Sequence, residues 1–283
     1  MIRFTPSPLI DALIDIALSE DIGCGDATAD ALIPIGAAAT MNIVAREPLV
    51  LCGQPIVERI IARFGPRHVE LKWSCDEGAP LQAGGEVAVL RGELAELLVL
   101  ERTMLNFLQR LSGVATLTRR YVDEIHGTSA KLVDTRKTLP GYRALDKYAT
   151  RVGGAANHRA GLDGGILIKD NHLRAAGGVH AAVSQARSDA PHSLRIEVEV
   201  ETEHGFDEAV EAGADVIMLD NFTPEGVRSI AEKAPANVIL EASGGIGLEN
   251  IREYAEAGAQ IIAVGAITHS ARAVDIAAEI LDD

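Results

Sequence analysis

Six short runs of Val, Ile and Leu recur through the second half of the chain, and they constrain the fold more than any other feature. Successive runs begin 34, 30, 20, 22 and 23 residues apart, and most precede an amphipathic helical stretch. Repeated strand–helix units at such intervals predict a parallel sheet with right-handed crossovers. Because no GxGxxG fingerprint follows the first run, we expect an incomplete α/β barrel of about seven strands, not a doubly wound sheet. The runs begin at residues 132, 166, 196, 216, 238 and 261.

The first half of the chain has a different pattern, typical of a mixed α/β domain. We therefore expect one domain over 1–112 and a barrel domain over 113–267. Gly113 is expected to end or kink the last helix of the first domain. Helices are predicted over 8–19, 54–64 and 93–111, and strands over 40–46, 69–74 and 86–91.

The composition narrows the choice of partners and of location. Among 283 residues, 41 acidic side chains outnumber 26 basic ones, which gives a net charge of −15. A chain this acidic is a poor general binder of nucleic acid or of an anionic membrane. No apolar run approaches the roughly 20 residues of a membrane span, and the N-terminus lacks a signal peptide's apolar stretch, so we expect a cytoplasmic protein. Three cysteines without a CxxC pair argue against a disulfide framework or a structural zinc site.

Positive charge is concentrated in one segment, between Lys131 and Arg174. This segment holds nine basic and four acidic residues, a net charge of +5 in an otherwise acidic chain. Such a basic island is suited to a small polyanion rather than a long one. Arg143, Lys147 and Arg151 follow one another at helical spacing, so an ion-paired helix face is the alternative for these three residues.

Almost every predicted barrel strand ends in polar residues or glycine, at the positions where barrel enzymes carry their catalytic groups. A single Lys or Asp there is ordinarily a solvated loop residue, whereas five or six strand ends with the same pattern indicate a site. Glycines at strand ends also let backbone N–H groups approach a phosphate. The strand-end segments are 134–138, 169–172, 199, 220–221, 243–245 and 265–266.

Two glutamates of the third run, Glu197 and Glu199, share one face of their strand because side chains alternate with period two. A charged group that faces a barrel interior needs a partner, and lysines or a metal ion could supply it. Glu199 lies nearer the carboxyl end of the strand, and together with Asp220 it is predicted to hold Mg²⁺. Glu197 is expected to form a structural ion pair.

Eight longer segments carry a more specific signal. They are SEDIGCGDAT (19–28), ERTMLNFLQRLSG (101–113), DTRKTLPGYRALDKYA (134–149), GGAANHRAGLDGGILIKDNH (153–172), EVEVE (197–201), MLDN (218–221), EASGGI (241–246) and AVGAITHS (263–270). The TRKT and NHR sequences are the most distinctive. In this order and over nearly the whole chain, the segments resemble the quinolinate phosphoribosyltransferase family, the decarboxylating nicotinate-nucleotide pyrophosphorylases.

The resemblance implies an N-terminal α/β sandwich and an incomplete barrel, in an obligate homodimer whose subunits share their active sites. A C-terminal helix over 268–283 would return to the N-terminal domain. The implied reaction joins quinolinate to 5-phosphoribosyl-1-pyrophosphate (PRPP) and gives nicotinate mononucleotide, pyrophosphate and CO₂, with Mg²⁺ required. Both substrates are anions, in keeping with the basic island.

The resemblance also implies a role for each matching residue. The catalytic residues would be Lys137, Lys169, Glu199 and Asp220, the last two also holding Mg²⁺ and the ribose hydroxyls. Quinolinate would be bound by Arg136, His158, Arg159 and, from the partner subunit, Arg102. The PRPP phosphates would be bound by Thr135, Lys137, Lys169, Ser243, Gly244, Gly245, Gly265 and Ala266.

Several alternatives remain open at this point. The chain also resembles a paralogue of the same fold that is linked to molybdate transport. The TRKTLPG, NHR and KDNH sequences favour the quinolinate enzyme over this paralogue. Lys169 at a strand end would also suit a Schiff-base lyase. A barrel mouth is equally compatible with a non-catalytic binding module. His158 has a structural role as its alternative, and His172 has no assigned role.

Overall fold

The computed structural model describes residues 3–65 and 69–281 of the chain. It divides into two units. Unit 1 comprises Met1–Arg119, Leu139–Gly154 and Ser270–Asp283, and unit 2 comprises Arg120–Thr138 and Ala155–His269. Within the described ranges, every helix is too short or too polar to cross a lipid bilayer.

Helices and strands alternate along most of the chain. The helices are α1 (Pro8–Ile22), α2 (Ala27–Leu32), α3 (Gln54–Phe64), α4 (Leu94–Glu124), α5 (Arg143–Gly153), α6 (Asp170–Ala176), α7 (Val179–Asp189), α8 (Glu203–Glu211), α9 (Pro224–Lys233), α10 (Ile251–Glu256) and α11 (Ala266–His269). The strands are β1 (Ala38–Ala45), β2 (Leu49–Val50), β3 (Glu70–Trp73), β4 (Pro80–Leu81), β5 (Glu86–Glu93), β6 (Lys131–Val133), β7 (Ile166–Ile168), β8 (Ile196–Val200), β9 (Val216–Asp220), β10 (Ile239–Ser243), β11 (Ile261–Ala263) and β12 (Ile276–Leu281).

Unit 1 is built on a four-stranded antiparallel sheet in the order β12–β1–β5–β3. Apolar side chains of β1, β5 and helices α1, α3, α4 and α5 form its hydrophobic core. The start of α1 follows from local chemistry, because the Ser7 side chain accepts a hydrogen bond from the Ile10 N–H and Pro8 occupies the first turn. The predicted helix over 54–64 matches α3 at both ends.

The C-terminal helix predicted over 268–283 is wrong, because that region forms a strand. Residues Ile276–Leu281 pair antiparallel with β1, from Ala45 opposite Ile276 to Thr40 opposite Leu281. The Ala- and Glu-containing sequence has helical propensity, but pairing with the otherwise open edge of β1 overrides that weak preference. The expected return to the N-terminal domain does occur, since Ser270–Asp283 belongs to unit 1. Residues 282–283 lie outside the described residues.

Helix α4 runs past Gly113, where the sequence predicts an end or a kink. The glycine lies against the C-terminal segment, and a Cβ atom at this position would collide with the backbone carbonyl oxygen of Arg272. Gly113 is therefore required by a close approach of two backbones, not by a change of helix direction. Sequence alone does not distinguish these two reasons for a glycine.

The two units differ from the domains predicted over 1–112 and 113–267. Residues 113–119 belong to unit 1 because α4 continues past Gly113. Residues 139–154 also belong to unit 1, since apolar side chains of α5, such as Leu145 and Val152, are buried in its core.

Unit 2 contains a six-stranded parallel sheet in the order β6–β11–β10–β9–β8–β7. The first strand pairs with the last, as in a barrel, whereas a doubly wound sheet would place the first strand centrally. A single parallel bridge between Val133 and Ala156 extends the sheet beyond β6. The described strands do not close the barrel, which confirms the predicted incomplete architecture with six strands instead of about seven.

Candidate active site

The carboxyl ends of all six strands of unit 2 contribute residues to one pocket. All of the predicted catalytic residues line it, and so do all but one of the predicted quinolinate-binding residues. This convergence follows from the parallel sheet, which places every strand's carboxyl end at the same edge. The pocket is lined by Thr135, Arg136, Lys137, His158, Arg159, Leu167, Lys169, Glu199, Met218, Asp220, Glu241, Ser243 and Ala263.

Two guanidinium groups, of Arg136 and Arg159, lie in the pocket wall. Burial lowers the pKa of Arg159, and the charge of Arg136 lowers it further, so the two groups are near each other. Nη1 of Arg159 donates a hydrogen bond to the Gly165 carbonyl at 2.9 Å, which orients the side chain. Paired guanidiniums suit a ligand with two carboxylates, because each presents a planar fork of donors.

Asp134 follows β6 directly, and its hydrogen bonds hold the segment that carries His158 and Arg159. Its fully buried carboxylate accepts hydrogen bonds from Nδ2 of Asn157 at 2.7 Å and from the backbone N–H of His158 at 2.8 Å. These bonds compensate the cost of burying a carboxylate. Asp134 therefore holds the wall of the pocket in place without lining it.

Lys169 is fixed at the start of α6 by contacts of its side chain and of its backbone. Its Nζ forms an ion pair with Oε2 of Glu199. Its backbone N–H donates to Nδ1 of His172 at 3.0 Å, and the His172 N–H donates back to the Lys169 carbonyl at 2.8 Å. The His172 imidazole thus accepts a hydrogen bond from the backbone of the N-cap residue of α6, so His172 supports the backbone of Lys169.

Strand β9 ends at Asp220, whose carboxylate lines the pocket. Its Oδ2 accepts a hydrogen bond from Nδ2 of the next residue, Asn221, at 2.8 Å. The backbone of Asn221 has a φ of 59°, and it is the only non-glycine residue with positive φ among residues 3–65 and 69–281. Asparagine tolerates this left-handed region better than most residues.

His158 lies beside two buried carboxylates, those of Glu197 on β8 and Glu241 on β10. Its Nε2 is 3.3 Å from Oε2 of Glu197 and 3.6 Å from Oε1 of Glu241. Burial raises the pKa of Glu241 to about 8; the charge of Glu197 raises it as well, and His158 opposes the rise. Burial and the neighbouring carboxylate thus favour the protonated form of Glu241. Glu197 thus contacts His158, while the ion pair predicted for it stays a prediction; Glu241 carries no predicted role.

The residue types of this cluster would suit a metal ion, but the hydrogen bonding of the imidazole does not. Nδ1 of His158 accepts a hydrogen bond from the backbone N–H of Arg159 at 2.8 Å. An accepting Nδ1 carries no proton, so the proton of the neutral ring is on Nε2, the atom that faces Glu197 and Glu241. A protonated Nε2 has no lone pair for a metal. The cluster is therefore a set of close polar contacts around the imidazole of His158.

A second depression adjoins the pocket and shares Thr135, Lys137, Ser243 and Ala263 with it. It is lined by residues 243–247 and 263–266, together with Tyr121, Glu249 and His269. Gly244 and Gly245 have φ values of 89° and 63°, which favour glycine. A Cβ atom at Gly265 would lie 3.1 Å from the His269 ring and 3.1 Å from Cδ of Lys137, so a side chain would fill the depression. Glycine-lined backbone of this kind is suited to a phosphate group.

Arg102 is the one predicted site residue that is not among the residues lining the two depressions of unit 2. It lies on α4 in unit 1, and its side chain is 57 % exposed. The basic island is divided in a similar way: Arg143, Lys147 and Arg151 lie on α5 of unit 1, where Lys147 is buried. None of the three lines either depression, and Arg143 and Arg151 are half-buried; the ion-paired helix face stays a prediction for them.

Sequence reasoning assigned no role to His269, Glu241 or Asn221, although Asn221 belongs to a predicted strand-end segment. His269 and Glu241 each belong to a quoted segment, AVGAITHS and EASGGI, but no spacing rule singles them out. Asn221 had a usable signal, since asparagine after a strand is typical of a left-handed turn.

The residues that were predicted to hold Mg²⁺ fit that ion by their chemistry. Glu199 and Asp220 end the neighbouring strands β8 and β9, and both line the pocket. Carboxylate oxygens are the donors that Mg²⁺ prefers, and phosphate oxygens of a substrate commonly complete its coordination. Hydrogen bonds from Lys169 and Asn221 orient the two carboxylates.

The fold and the site together define a class: an α/β-barrel protein whose strand ends form a basic small-molecule pocket beside a phosphate-type glycine cradle. Comparison with known families is more specific. The C-terminal domain of quinolinate phosphoribosyl transferase matches residues 114–279, and its N-terminal domain matches residues 26–112. The chain belongs to the quinolinate phosphoribosyltransferase family, as its sequence motifs predicted.

Individual relatives agree with this assignment. A probable nicotinate-nucleotide pyrophosphorylase [carboxylating] of Bacillus subtilis is 43 % identical over 261 residues, which cover 92 % of this chain and 90 % of the relative. The nicotinate-nucleotide pyrophosphorylase [carboxylating] of Mycobacterium leprae is 44 % identical over 266 residues, covering 92 % and 93 %. The solved structure of the nicotinate-nucleotide pyrophosphorylase from Francisella tularensis superposes with a TM-score of 0.94 at 37 % identity and covers 99 % of both chains.

Proposed function

We propose that this pocket transfers the phosphoribosyl group of PRPP to quinolinate and releases pyrophosphate and CO₂, giving nicotinate mononucleotide for NAD biosynthesis. One observation carries the proposal. Paired guanidiniums, a Lys–Glu ion pair and an aspartate line a single pocket that adjoins a glycine cradle. This combination matches the two anionic substrates of the family.

Quinolinate binds at the arginine side of the pocket. Arg136 and Arg159 engage its two carboxylates, and each bidentate contact fixes the plane of the pyridine ring. His158, held by Glu197 and Glu241, forms the neighbouring wall. Arg102 reaches the site from the partner subunit of a homodimer, which accounts for its exposed position on α4.

PRPP binds at the glycine side. Ser243, Gly244, Gly245, Gly265 and Ala266 surround its 5-phosphate with backbone N–H groups, together with Thr135. Glu199 and Asp220 lie next to the ribose and would hold Mg²⁺, which would neutralise part of the pyrophosphate charge. Lys137 lines both depressions and contacts both substrates.

The reaction follows from this placement. As pyrophosphate leaves C1 of the ribose, positive charge develops on the sugar, and the carboxylates of Glu199 and Asp220 stabilise it. Lys137 and Lys169 stabilise the negative leaving group. The pyridine nitrogen bonds to C1 and becomes cationic, so it withdraws electrons from the adjacent carbon. The carboxylate on that carbon leaves as CO₂, and the electron pair left behind takes up a proton, without an organic cofactor.

The experiment that tests this function is release of CO₂ from carboxyl-labelled quinolinate, with and without PRPP and Mg²⁺. Release that requires both additions supports the proposal. A folded protein that releases no CO₂ under any of these conditions contradicts it, and other pyridine acids would then be screened with PRPP for the activity of a molybdate-linked paralogue. The cytoplasmic location expected from the sequence remains a prediction.

A lyase that uses Lys169 as a Schiff base is the second candidate, because this lysine lies at a barrel strand end. A Schiff-base lysine must present a neutral amine to a carbonyl, whereas Nζ of Lys169 is engaged by Glu199. Borohydride treatment with substrate would leave a stable adduct on Lys169 only in a lyase. We expect no adduct by mass spectrometry.

A further inference from the structure

The turn after β9 joins the two halves of the proposed PRPP site. The backbone N–H of Asn221 donates to the Ser243 carbonyl at 2.9 Å, which extends the pairing of β9 and β10 one residue beyond the strand end. At the same residue the backbone adopts the left-handed conformation. This conformation turns the chain toward α9 while the side chain stays at the strand end.

The Asn221 side-chain amide lies between Asp220 and Gly244. Its Nδ2 donates to Oδ2 of Asp220 at 2.8 Å. Its Oδ1 lies against Gly244, where an added Cβ atom would collide with it and would lie 2.7 Å from Cγ. One amide therefore contacts the carboxylate assigned to the ribose and metal, and also the first glycine of the cradle.

We propose that Asn221 is a positioning residue for PRPP, which holds the carboxylate of Asp220 and the glycine turn at Gly244 in a fixed register. PRPP is bound at two points: its 5-phosphate at the glycine turn, and its ribose with the pyrophosphate at Asp220. The affinity for PRPP therefore depends on the distance between the glycine turn and Asp220. The inference rests on the proposed roles of Asp220 and Gly244. Residues at unfavoured backbone angles often lie at functional sites, and here the hydrogen bonds give a specific reason.

The test compares Asn221→Gly with a control in the same loop. Glycine adopts the left-handed conformation without cost, so the turn is kept while both amide contacts are lost. The control is Thr223→Ala, which removes the hydrogen bond between Thr223 Oγ1 and the Gly226 N–H that caps α9. The control disturbs the loop without touching Asp220 or Gly244.

Three quantities are measured for each variant: the dissociation constant of PRPP with Mg²⁺ by calorimetry, that of quinolinate, and the thermal midpoint. Asn221→Gly is expected to weaken PRPP binding about tenfold. This is the lower end of the range for losing a hydrogen bond to a charged group, because the Asn221–Asp220 hydrogen bond is exposed. Quinolinate affinity is expected to stay within twofold of the wild-type value. Thr223→Ala is expected to lower the thermal midpoint and to leave both affinities unchanged.

Two outcomes overturn the inference: PRPP affinity of Asn221→Gly within twofold of wild type, or equal weakening of both substrates. Asp220→Asn separates this failure from failure of the proposed function. If Asp220→Asn weakens PRPP binding while Asn221→Gly does not, the proposed PRPP site is supported and the positioning role of Asn221 is contradicted. If Asp220→Asn and Gly244→Ala both bind PRPP like the wild type, the assignment of the site itself falls. A double variant supports the inference further if Asn221→Gly adds little once Asp220 is changed.

Discussion

Nζ of Lys169 forms an ion pair with Oε2 of Glu199, which joins the ends of the neighbouring strands β7 and β8. The lysine is the more exposed partner, with 44 % of its side chain accessible against 15 % for the glutamate. The pair thus presents a positive group toward solvent and orients a carboxylate beneath it. This arrangement suits a leaving pyrophosphate on one side and a developing positive charge on the other.

Replacing Lys169 by Met should therefore impair chemistry more than folding. We expect kcat to fall by roughly 10²-fold or more, because a positioned charge on the leaving group is lost. Initial rates at saturating substrates measure the effect, and circular dichroism checks the fold. Lys72→Met on the exposed edge of unit 1 is the matched control. An unchanged kcat in Lys169→Met would remove this lysine from the mechanism.

Arg136 is expected to act on one substrate only. Arg136→Ala should raise the KM for quinolinate by roughly 10²-fold, the effect of losing a bidentate contact to a carboxylate, while the KM for PRPP stays nearly constant. Steady-state kinetics with each substrate varied in turn separate the two constants. Arg174→Ala removes an exposed basic residue of the same segment and should change neither. Equal losses for both substrates would contradict the assignment.

Shared active sites predict that two inactive variants repair each other. Arg102→Ala lacks the residue proposed to come from the partner, and Lys137→Ala lacks one within its own pocket. When the two are unfolded and refolded together, half of the dimers are mixed and each has one intact site, so about a quarter of wild-type activity should return. Each variant refolded alone is the control. Activity that stays at the level of the separate variants would argue for independent sites.

Much of the site could be predicted from sequence because each strand end can be recognised from a few neighbouring residues. A Val/Ile/Leu run followed by a polar residue fixes both the strand and the edge at which it ends, as for Lys169, Glu199 and Asp220. The resemblance then supplied roles that no periodicity could give. His158 shows the limit of local reasoning, since its partners Glu197 and Glu241 lie on two other strands.

The failures have a common physical cause, which is contact between segments distant in sequence. The residues of β12 have no strand pattern of their own and become a strand because β1 offers an edge. Gly113 is indistinguishable from a helix-ending glycine until the Arg272 carbonyl is seen beside it. Both errors concern the segment that returns to unit 1.

The close approach at Gly113 leads to a stability prediction. Gly113→Ala should destabilise the protein by at least about 1–3 kcal/mol, the usual cost of overpacking. The new Cβ would overlap the carbonyl oxygen of Arg272, which belongs to the backbone and cannot move aside as the end of a flexible side chain can. In a helix with room for a methyl group the same change would stabilise by up to about 1 kcal/mol. Denaturant unfolding measures the difference. Gly205→Ala in α8 is the comparison, since its nearest contacts are side-chain atoms at 3.3 Å or more. A more stable Gly113→Ala variant would contradict the prediction and show that the backbone near Arg272 can shift at little cost.

Glu241 gives stability a dependence on pH. Its pKa in the folded protein is raised from 4.5 to about 8, first by burial and then by the charge of Glu197. Between these pH values the unfolded chain has released the proton and the folded protein keeps it. The free energy of unfolding therefore falls as the pH rises from about 4.5 to about 8, by at most about 1.4 kcal/mol per pH unit from this group.

Glu241→Gln should remove this contribution, because the amide has the size of the protonated acid and does not ionise. Relative to wild type, the variant is expected to gain stability steadily across that range and to level off above pH 8. Urea unfolding at several pH values measures the difference, and Glu232→Gln on the exposed face of α9 serves as the control. Parallel curves for wild type and Glu241→Gln would mean that Glu241 ionises normally in the folded protein. The contact between His158 and two carboxylates would then have to be held by a doubly protonated imidazole, which the hydrogen bond from the Arg159 N–H to Nδ1 opposes.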